Sequence, residues 1–223
     1  MSRRILVTGA NRGIGKQIVR DLHEMNHMVF LGSRDHENGL KAAAEMDLPE
    51  QQVIELDVRS EESVGRALAQ IGQLDVVVNN AAVWIDNRNL VQANIDEIKQ
   101  LMEVNFYGPM RMNVAAIPLL KKSMYGRIIN ISSEMGELAN LDGNYAAYRL
   151  SKAGLNAQTI MLSRELGDRV KVASMCPGWV HTDMGGPSAP RTPKQGAETA
   201  VWLSTDDSWS TGKFWRDKKE INF

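Results

Sequence analysis

Among its 223 residues the chain holds one cysteine, Cys176. No intrachain disulfide can form, and a reducing compartment, the cytoplasm, is the expected home. Cys176 stands just before Pro177 and reads as a small core residue rather than a nucleophile. The four histidines, His23, His27, His36 and His181, show no ligand spacing with one another, so no metal site is expected. Long hydrophobic runs are missing too. The N-terminal "MSRRILVTGA" offers only Ile5, Leu6 and Val7 before turn residues, far too few for a signal-peptide core or a membrane span. Neither sign of charge is in surplus. A formal net charge of -1 gives no support to a nucleic-acid surface or a polybasic membrane patch.

What remains is ordinary for a soluble globular protein: 43% hydrophobic residues and 24% charged ones. The length suits one well-buried core. No internal repeat, low-complexity tract or domain boundary interrupts it, so residues 1–223 read as a single domain. The Gly/Pro-rich stretch Gly185–Pro193 reads as a surface loop within that domain.

Short apolar runs alternate with helical patterns from end to end. "RILVT", "HMVFLG", "QVIELDV", "LDVVVNN", "GRIINISS" and "VKVASMC" lack the alternation of a half-exposed sheet. Strands apolar on both faces suit a parallel sheet covered by helices on each side. Between them lie amphipathic segments such as Ile14–Met25, with Ile14, Ile18, Val19 and Leu22 on one side. The expectation is an α/β fold: a Rossmann-type doubly wound parallel sheet of six strands in a three-layer α/β/α arrangement. A short seventh strand is expected near Lys213–Trp215.

The first strand runs straight into "TGANRGIGKQIV". Gly9, Gly13 and Gly15 sit where missing side chains let a backbone approach a phosphate, and the helix from Ile14 would aim its positive end there. The spacing G-x-x-x-G-x-G differs from the G-x-G-x-x-G dinucleotide fingerprint. The second strand ends in "VFLGSRD". Arg34, with Arg12 reaching from the glycine turn, would welcome a 2′-phosphate, so NADP(H) is expected over NAD(H). Asp35 leaves the other choice open, since with a later strand end it would bind an unphosphorylated ribose.

"NYAAYRLSKAG", Asn144–Gly154, places Tyr145 before Arg149 and Tyr148 before Lys152, each one helical turn apart. Either pair could be a proton donor beside a charge, or both an ordinary amphipathic face. Asn105 carries a local argument of its own. Pro109 lies four residues on, in a segment that reads as helix from about Ile95 to Leu120. Proline has no N–H, so the Asn105 carbonyl loses its intrahelical donor and is freed to hold a water, or the helix merely kinks.

Taken together, "TGANRGIG", "NNAA" at Asn79–Ala82, Asn105 in "EVNFYG", "NISS" at Asn130–Ser133, Tyr148-x-x-Ser151-Lys152 and "CPGWVHTDM" from Cys176 resemble the short-chain dehydrogenase/reductase family over essentially the whole chain. Within that family the carbonyl reductases are the most similar. The resemblance implies that Tyr148 is the proton donor, with Lys152 lowering its pKa and holding the nicotinamide ribose. Moving a phenol by about 3 units would take roughly 4 kcal/mol. Ser133 would stabilise the substrate oxygen, although its spacing to Tyr148 is longer than is common, and Asn105 would relay protons. Gly9, Asn11, Arg12, Gly13, Ile14, Gly15 and Arg34 would bind the cofactor together with Asp57 and Val58 at adenine, Asn80 and Ala81, and Val180 and Thr182 over the nicotinamide. Asp57 as a helix cap and Asn80 as a turn residue stay open. Trp84 and Trp179 are pocket-wall candidates, or plain packing aromatics. The implied activity is NADPH-dependent reduction of a small ketone or aldehyde. A 3-oxoacyl-thioester reductase, a secondary-alcohol dehydrogenase and a catalytically silent NADP-binding sensor are the alternatives. Ala153 and Ala157 form a small-residue stripe like those the family packs into homodimers and homotetramers, or one that packs within the subunit.

Overall fold

The computed structural model describes residues 2–85 and 88–223. Eight strands form one sheet: β1 (Arg4–Val7), β2 (Met28–Ser33), β3 (Val53–Glu55), β4 (Val76–Asn79), β5 (Arg127–Ile131), β6 (Lys171–Met175), β7 (Lys213–Arg216) and β8 (Lys219–Ile221). Their spatial order is β3-β2-β1-β4-β5-β6-β7-β8, with β1 to β7 all parallel and β8 antiparallel to β7. The order reverses between β1 and β4, and in such sheets ligands bind outside the carboxyl ends of the strands at that point.

Seven α-helices cover the two faces: α1 (Gly13–Glu24), α2 (His36–Ala44), α3 (Glu61–Ile71), α4 (Ile95–Met102), α5 (Gly108–Leu120), α6 (Ala146–Leu166) and α7 (Pro193–Thr205). Strand side chains alternate between two cores. Ile5 and Val7 pack with Ile18, Val19 and Leu22 of α1 and with Ala197, Ala200 and Leu203 of α7. Leu6 and Val77 pack on the opposite face with Val64 and Leu68 of α3 and Met112, Ala116 and Leu120 of α5. This double burial is why the strand sequences read as unbroken apolar runs.

One row of that second face is polar. Asn79, Asn130 and Ser174 are register partners on β4, β5 and β6. Asn79 Nδ2 donates to Asn130 Oδ1 at 2.9 Å and to Asn113 Oδ1 of α5 at 2.7 Å. Asn130 Nδ2 donates to Thr159 Oγ1 of α6 at 2.8 Å, and that hydroxyl lies 2.8 Å from Ser174 Oγ. All five side chains are buried.

Three expectations are corrected. The long helix from Ile95 to Leu120 is divided: α4 and α5 flank a π-turn at Glu103–Tyr107. Pro109 cannot donate to the Asn105 carbonyl, and the ladder widens by one residue there. The expected seventh strand is present as β7, but β8 was not foreseen. "KEI" is short and charged at two of its three positions, the usual character of an edge strand. Pro193 also belongs to α7 rather than to the preceding loop, where it opens the helix inside a Thr192–Gln195 capping box. Among the described residues no helix is long and apolar enough to cross a membrane, and no cluster of three metal-ligating side chains occurs.

Candidate active site

A cleft of about 1000 Å³ opens at the carboxyl ends of the strands. Its first wall is the turn from β1 to α1. Gly9 and Gly13 have φ of +63° and +56°, which favours glycine. A Cβ on Gly9 would stand 2.8 Å from the Ala81 Cα, and one on Gly15 would stand 2.4 Å from Asn80 Nδ2. The Thr8 hydroxyl accepts from the backbone N–H of Asn80 and of Ala81, both at 3.0 Å. Asn80 Nδ2 in turn donates to the carbonyls of Thr8 and Gly9. Asn80 is therefore the strut of the glycine turn. Arg12, at the N-cap of α1, offers no side-chain acceptor, and the first turn carries no acid. Its free amides and positive end are thus available to a phosphate. Asn11, Ile14, Val180 and Thr182 line the same wall.

At the far end lie Ser33, Arg34, Asn38, Asp57, Val58 and Arg59. Asp35 also lines this end, where one oxygen of its carboxylate accepts from Asn38 N at 2.9 Å and caps α2. Arg34 is exposed and has no hydrogen-bond or ion-pair partner among the described residues. Arg12 does not join it as expected. Its Nη1 donates to Asp183 Oδ2 at 2.8 Å, across the cleft mouth. Arg59 was not anticipated. Its guanidinium grips Asp57 from two atoms, with Nη2 2.6 Å from Oδ2, and holds that carboxyl below the usual carboxylate range. Asp57 is not the cap of α3, because Ser60 is. A cation two residues after the acid in "LDVRS" was the available signal.

The other end of the cleft gathers Ser133, Tyr148 and Lys152. Ser133 follows β5, while Tyr148 and Lys152 share one face of α6. Ser132, its neighbour, is buried, with its hydroxyl directed at the Lys152 carbonyl at 3.4 Å. Tyr145, which also lines the cleft, stands at the N-cap of α6 with φ of +55° and packs on Trp84. Lys152 Nζ donates to the Ile131 carbonyl at 2.8 Å and lies 5.5 Å from the Tyr148 ring centroid. Burial pushes the Lys152 ammonium down to about 8. The expected lowering of the Tyr148 pKa is not found. Burial raises it well above the ordinary phenol value, with the Cys176 side chain adding to the rise and the Ser133 hydroxyl opposing it. A buried ring loses more from dehydrating its phenolate than this geometry returns, so Tyr148 is a firmly protonated phenol.

Asn105 is buried beneath this cluster and outside the cleft lining. Its side-chain amide exchanges two hydrogen bonds with the Val83 backbone, accepting at 2.8 Å and donating at 3.0 Å, and it reaches Ser151 Oγ at 3.4 Å. Cys176 forms part of the floor. It is buried, its sulfur accepts from the N–H of Glu134 and Gly178, and burial raises its thiol pKa. Trp84 lines the wall beside Tyr148. Trp179, 56% exposed, hangs over the opening with Nε1 donating to the Gly185 carbonyl. Glu134, Met135, Met184 and Arg216 also line this end and carried no signal in the sequence.

The profile of the short chain dehydrogenase family matches residues 3–192. Carbonyl reductase [NADPH] 1 of Sus scrofa is 31% identical over 277 aligned positions, which cover 100% of this chain and 94% of that protein. The 3-oxoacyl-[acyl-carrier-protein] reductase FabG of Pseudomonas aeruginosa is 38% identical over 188 residues, covering 80% of this chain and 74% of its own length. Among solved structures, the NADPH-bound carbonyl reductase from chicken fatty liver superposes with a TM-score of 0.87 at 28% identity, covering 100% of this chain and 99% of that one. By its sequence and by its fold, the chain belongs to the short chain dehydrogenase family.

Proposed function

We propose that the protein is an NADPH-dependent oxidoreductase that reduces a ketone or aldehyde to an alcohol. One observation carries the reading: a protonated phenol, a hydroxyl and a buried ammonium converge at one end of a cleft whose other end is a phosphate cradle. The relatives named as NADPH carbonyl reductases support both the cofactor and the substrate class.

The cradle fits NADPH. Its glycine turn packs so closely on Asn80 and Ala81 that a side chain at Gly9 or Gly15 would displace it, one oxygen of Asp35 is committed to a helix cap, and Arg34 has no partner among the described residues. Asn11 to Gly15 would hold the pyrophosphate, Arg34 the 2′-phosphate, Asp57 and Val58 the adenine, and Val180 and Thr182 the nicotinamide amide. When bound, NADPH supplies a hydride. Tyr148, protonated in the buried site, gives its phenolic proton to the carbonyl oxygen, and the neighbouring ammonium offsets the cost of ionising a buried phenol. Ser133 donates a hydrogen bond to the same oxygen as negative charge grows there. Lys152 is held beside the phenol by the Ile131 carbonyl, from where it stabilises the ionised phenol and binds the cofactor ribose. Asn105 orders this end through Val83 and Ser151, and its carbonyl, with no donor from Pro109, is the outlet for proton return.

Loss of nicotinamide absorbance with NADPH and a panel of ketones and aldehydes tests the reading. Wild type should turn over, and Tyr148→Phe should lose about a hundredfold or more in kcat while binding NADPH normally. Tight NADPH binding with no turnover on any carbonyl would leave a silent binder. The relative named as an acyl-carrier-protein reductase favours a second reading, thioester reduction. Saturation by free ketones, with no gain from a thioester, would exclude it.

The chain acts as one domain in the cytoplasm and as a homodimer or homotetramer. Leu150, Ala157 and Met161 of α6 stand exposed, as does Val114 of α5, and such apolar exposure supports a helix-to-helix interface. Sedimentation of wild type against Met161→Glu tests it.

A further inference from the structure

The turn between β7 and β8 is built against backbone preference. Asp217 and Lys218 both adopt left-handed φ, +49° and +60°, at a two-residue hairpin where Asn-Gly is the common choice. Bulkier residues persist in such a turn when the surroundings hold them there, and function is where such strain concentrates. Arg216 and Asp217 each reach from this hairpin to a segment that borders the site. Arg216 Nη1 donates to Glu134 Oε1, one residue after Ser133. The Asp217 carboxylate accepts from both Nη atoms of Arg191, in a fork geometry with one contact at 3.2 Å. Lys218 N donates to Thr199 Oγ1 of α7 at 3.2 Å, which fastens the turn to the body of the fold.

Arg191 is in turn the hub of the loop after β6. Its backbone bridges Val180, its carbonyl accepts from His181 N at 2.8 Å, and its N–H donates to the Trp179 carbonyl. A Cβ on Gly178 would stand 2.6 Å from Arg191 Cδ, so the stem of this side chain lies on the loop's own backbone. That loop carries Val180 and Thr182 to the cleft and Trp179 to its mouth.

We infer that the β7–β8 turn is a two-point brace: Arg216 and Asp217 are positioning residues that set the Ser133–Glu134 rim and the Trp179–Arg191 rim at a fixed separation across the substrate entrance. The inference rests on the proposed reading of the cleft for its kinetic consequence, but not for its structural one. Neither residue takes part in the chemistry. The brace holds the loop in one shape, so binding of carbonyl and cofactor is where its loss is felt.

Two glycine substitutions separate positioning from stability. Asp217→Gly and Lys218→Gly each relieve a left-handed residue, and only the first removes the carboxylate. In Asp217→Gly, amide hydrogen exchange in residues 177–192 should quicken about three- to tenfold. The KM for the carbonyl and the Kd for NADPH should rise by a similar factor, with kcat within about twofold and Tm no lower than wild type. Lys218→Gly should match wild type in exchange and kinetics. Arg191→Lys should fall between, because a lysine keeps the charge and loses the fork. Unchanged loop exchange in Asp217→Gly, or equal effects in both glycine variants, overturns the brace. If wild type reduces no carbonyl, the functional reading fails, and the exchange measurement then decides the brace on its own.

Discussion

The indole of Trp84 lies against the phenol ring of Tyr148, with ring centroids 4.6 Å apart and planes tilted by 48°. Tyr145 packs on the same indole at 5.3 Å. Trp84 thus fixes the rotamer of the proposed proton donor and blocks one side of its approach. Trp84→Ala should cost about 1–3 kcal/mol of stability and lower kcat/KM about tenfold, whereas Trp84→Phe should keep most of both. Thermal melts beside steady-state kinetics check it. Unchanged kinetics in the alanine variant would reduce Trp84 to packing.

The buried Lys152 makes a signed prediction about pH. Its folded pKa, about 8, lies below the ordinary lysine value of 10.5. Between those two values the unfolded chain binds the extra proton, so stability rises with pH across that window. The rise should amount to about 3 kcal/mol, and it should vanish in Lys152→Met. Turnover should fall over the same range, since neutral Lys152 no longer stabilises an ionised Tyr148. Denaturant titrations at pH 7.5 to 10.5 for both proteins isolate this group from the others.

Cofactor choice should rest on Arg34 more than on Arg12. Arg34 has no partner among the described residues, while Arg12 is engaged by Asp183. Arg34→Leu should raise the Kd for NADPH about 10- to 100-fold and leave that for NADH nearly unchanged. Arg12→Leu should cost a few-fold at most, because freeing the phosphate's second cation first requires breaking its ion pair. Fluorescence titration with each nucleotide gives the four constants. Equal losses would return Arg12 to the 2′-phosphate.

Pro109→Ala offers the Asn105 carbonyl the donor it lacks and lets the π-turn close toward a regular helix. That change also pulls the Asn105 amide away from Val83. Expected results are an intact fold, a kcat reduced about three- to tenfold, and a displaced alkaline limb of the pH profile. Unchanged turnover and an unchanged profile would remove the freed carbonyl from the mechanism.

Features written in consecutive residues are legible in the sequence. The glycine turn, the parallel strands and the Tyr148–Lys152 pair each depend on a few neighbouring positions. The features that escaped depend on residues far apart in the chain. Arg12 meets a carboxylate 171 residues away, and Arg216 meets one 82 residues away. No local pattern announces either. Asp35 is ambiguous for the opposite reason: its ribose and capping roles use the same side chain, and the cap shows only in the Asn38 amide that one of its oxygens accepts. The Tyr148 pKa was misjudged because a one-turn spacing gives the cation's proximity but not the dryness of the ring. β8 was missed because an edge strand carries little apolar signal.

The buried polar row of Asn79, Asn130 and Ser174 turns the sheet into a ruler. Slide any one of β4, β5 or β6 by a single residue and an amide or hydroxyl is left without its partner in the core, a penalty of about 1–3 kcal/mol for each orphan. The graduations are the strand spacings, about 4.8 Å apart. The Asn80 strut of the glycine turn and Ser133 each follow a marked residue within a few positions. The reach from phosphate cradle to phenol is thereby gauged in the interior, and surface loops can vary their grip on substrates without altering that calibration.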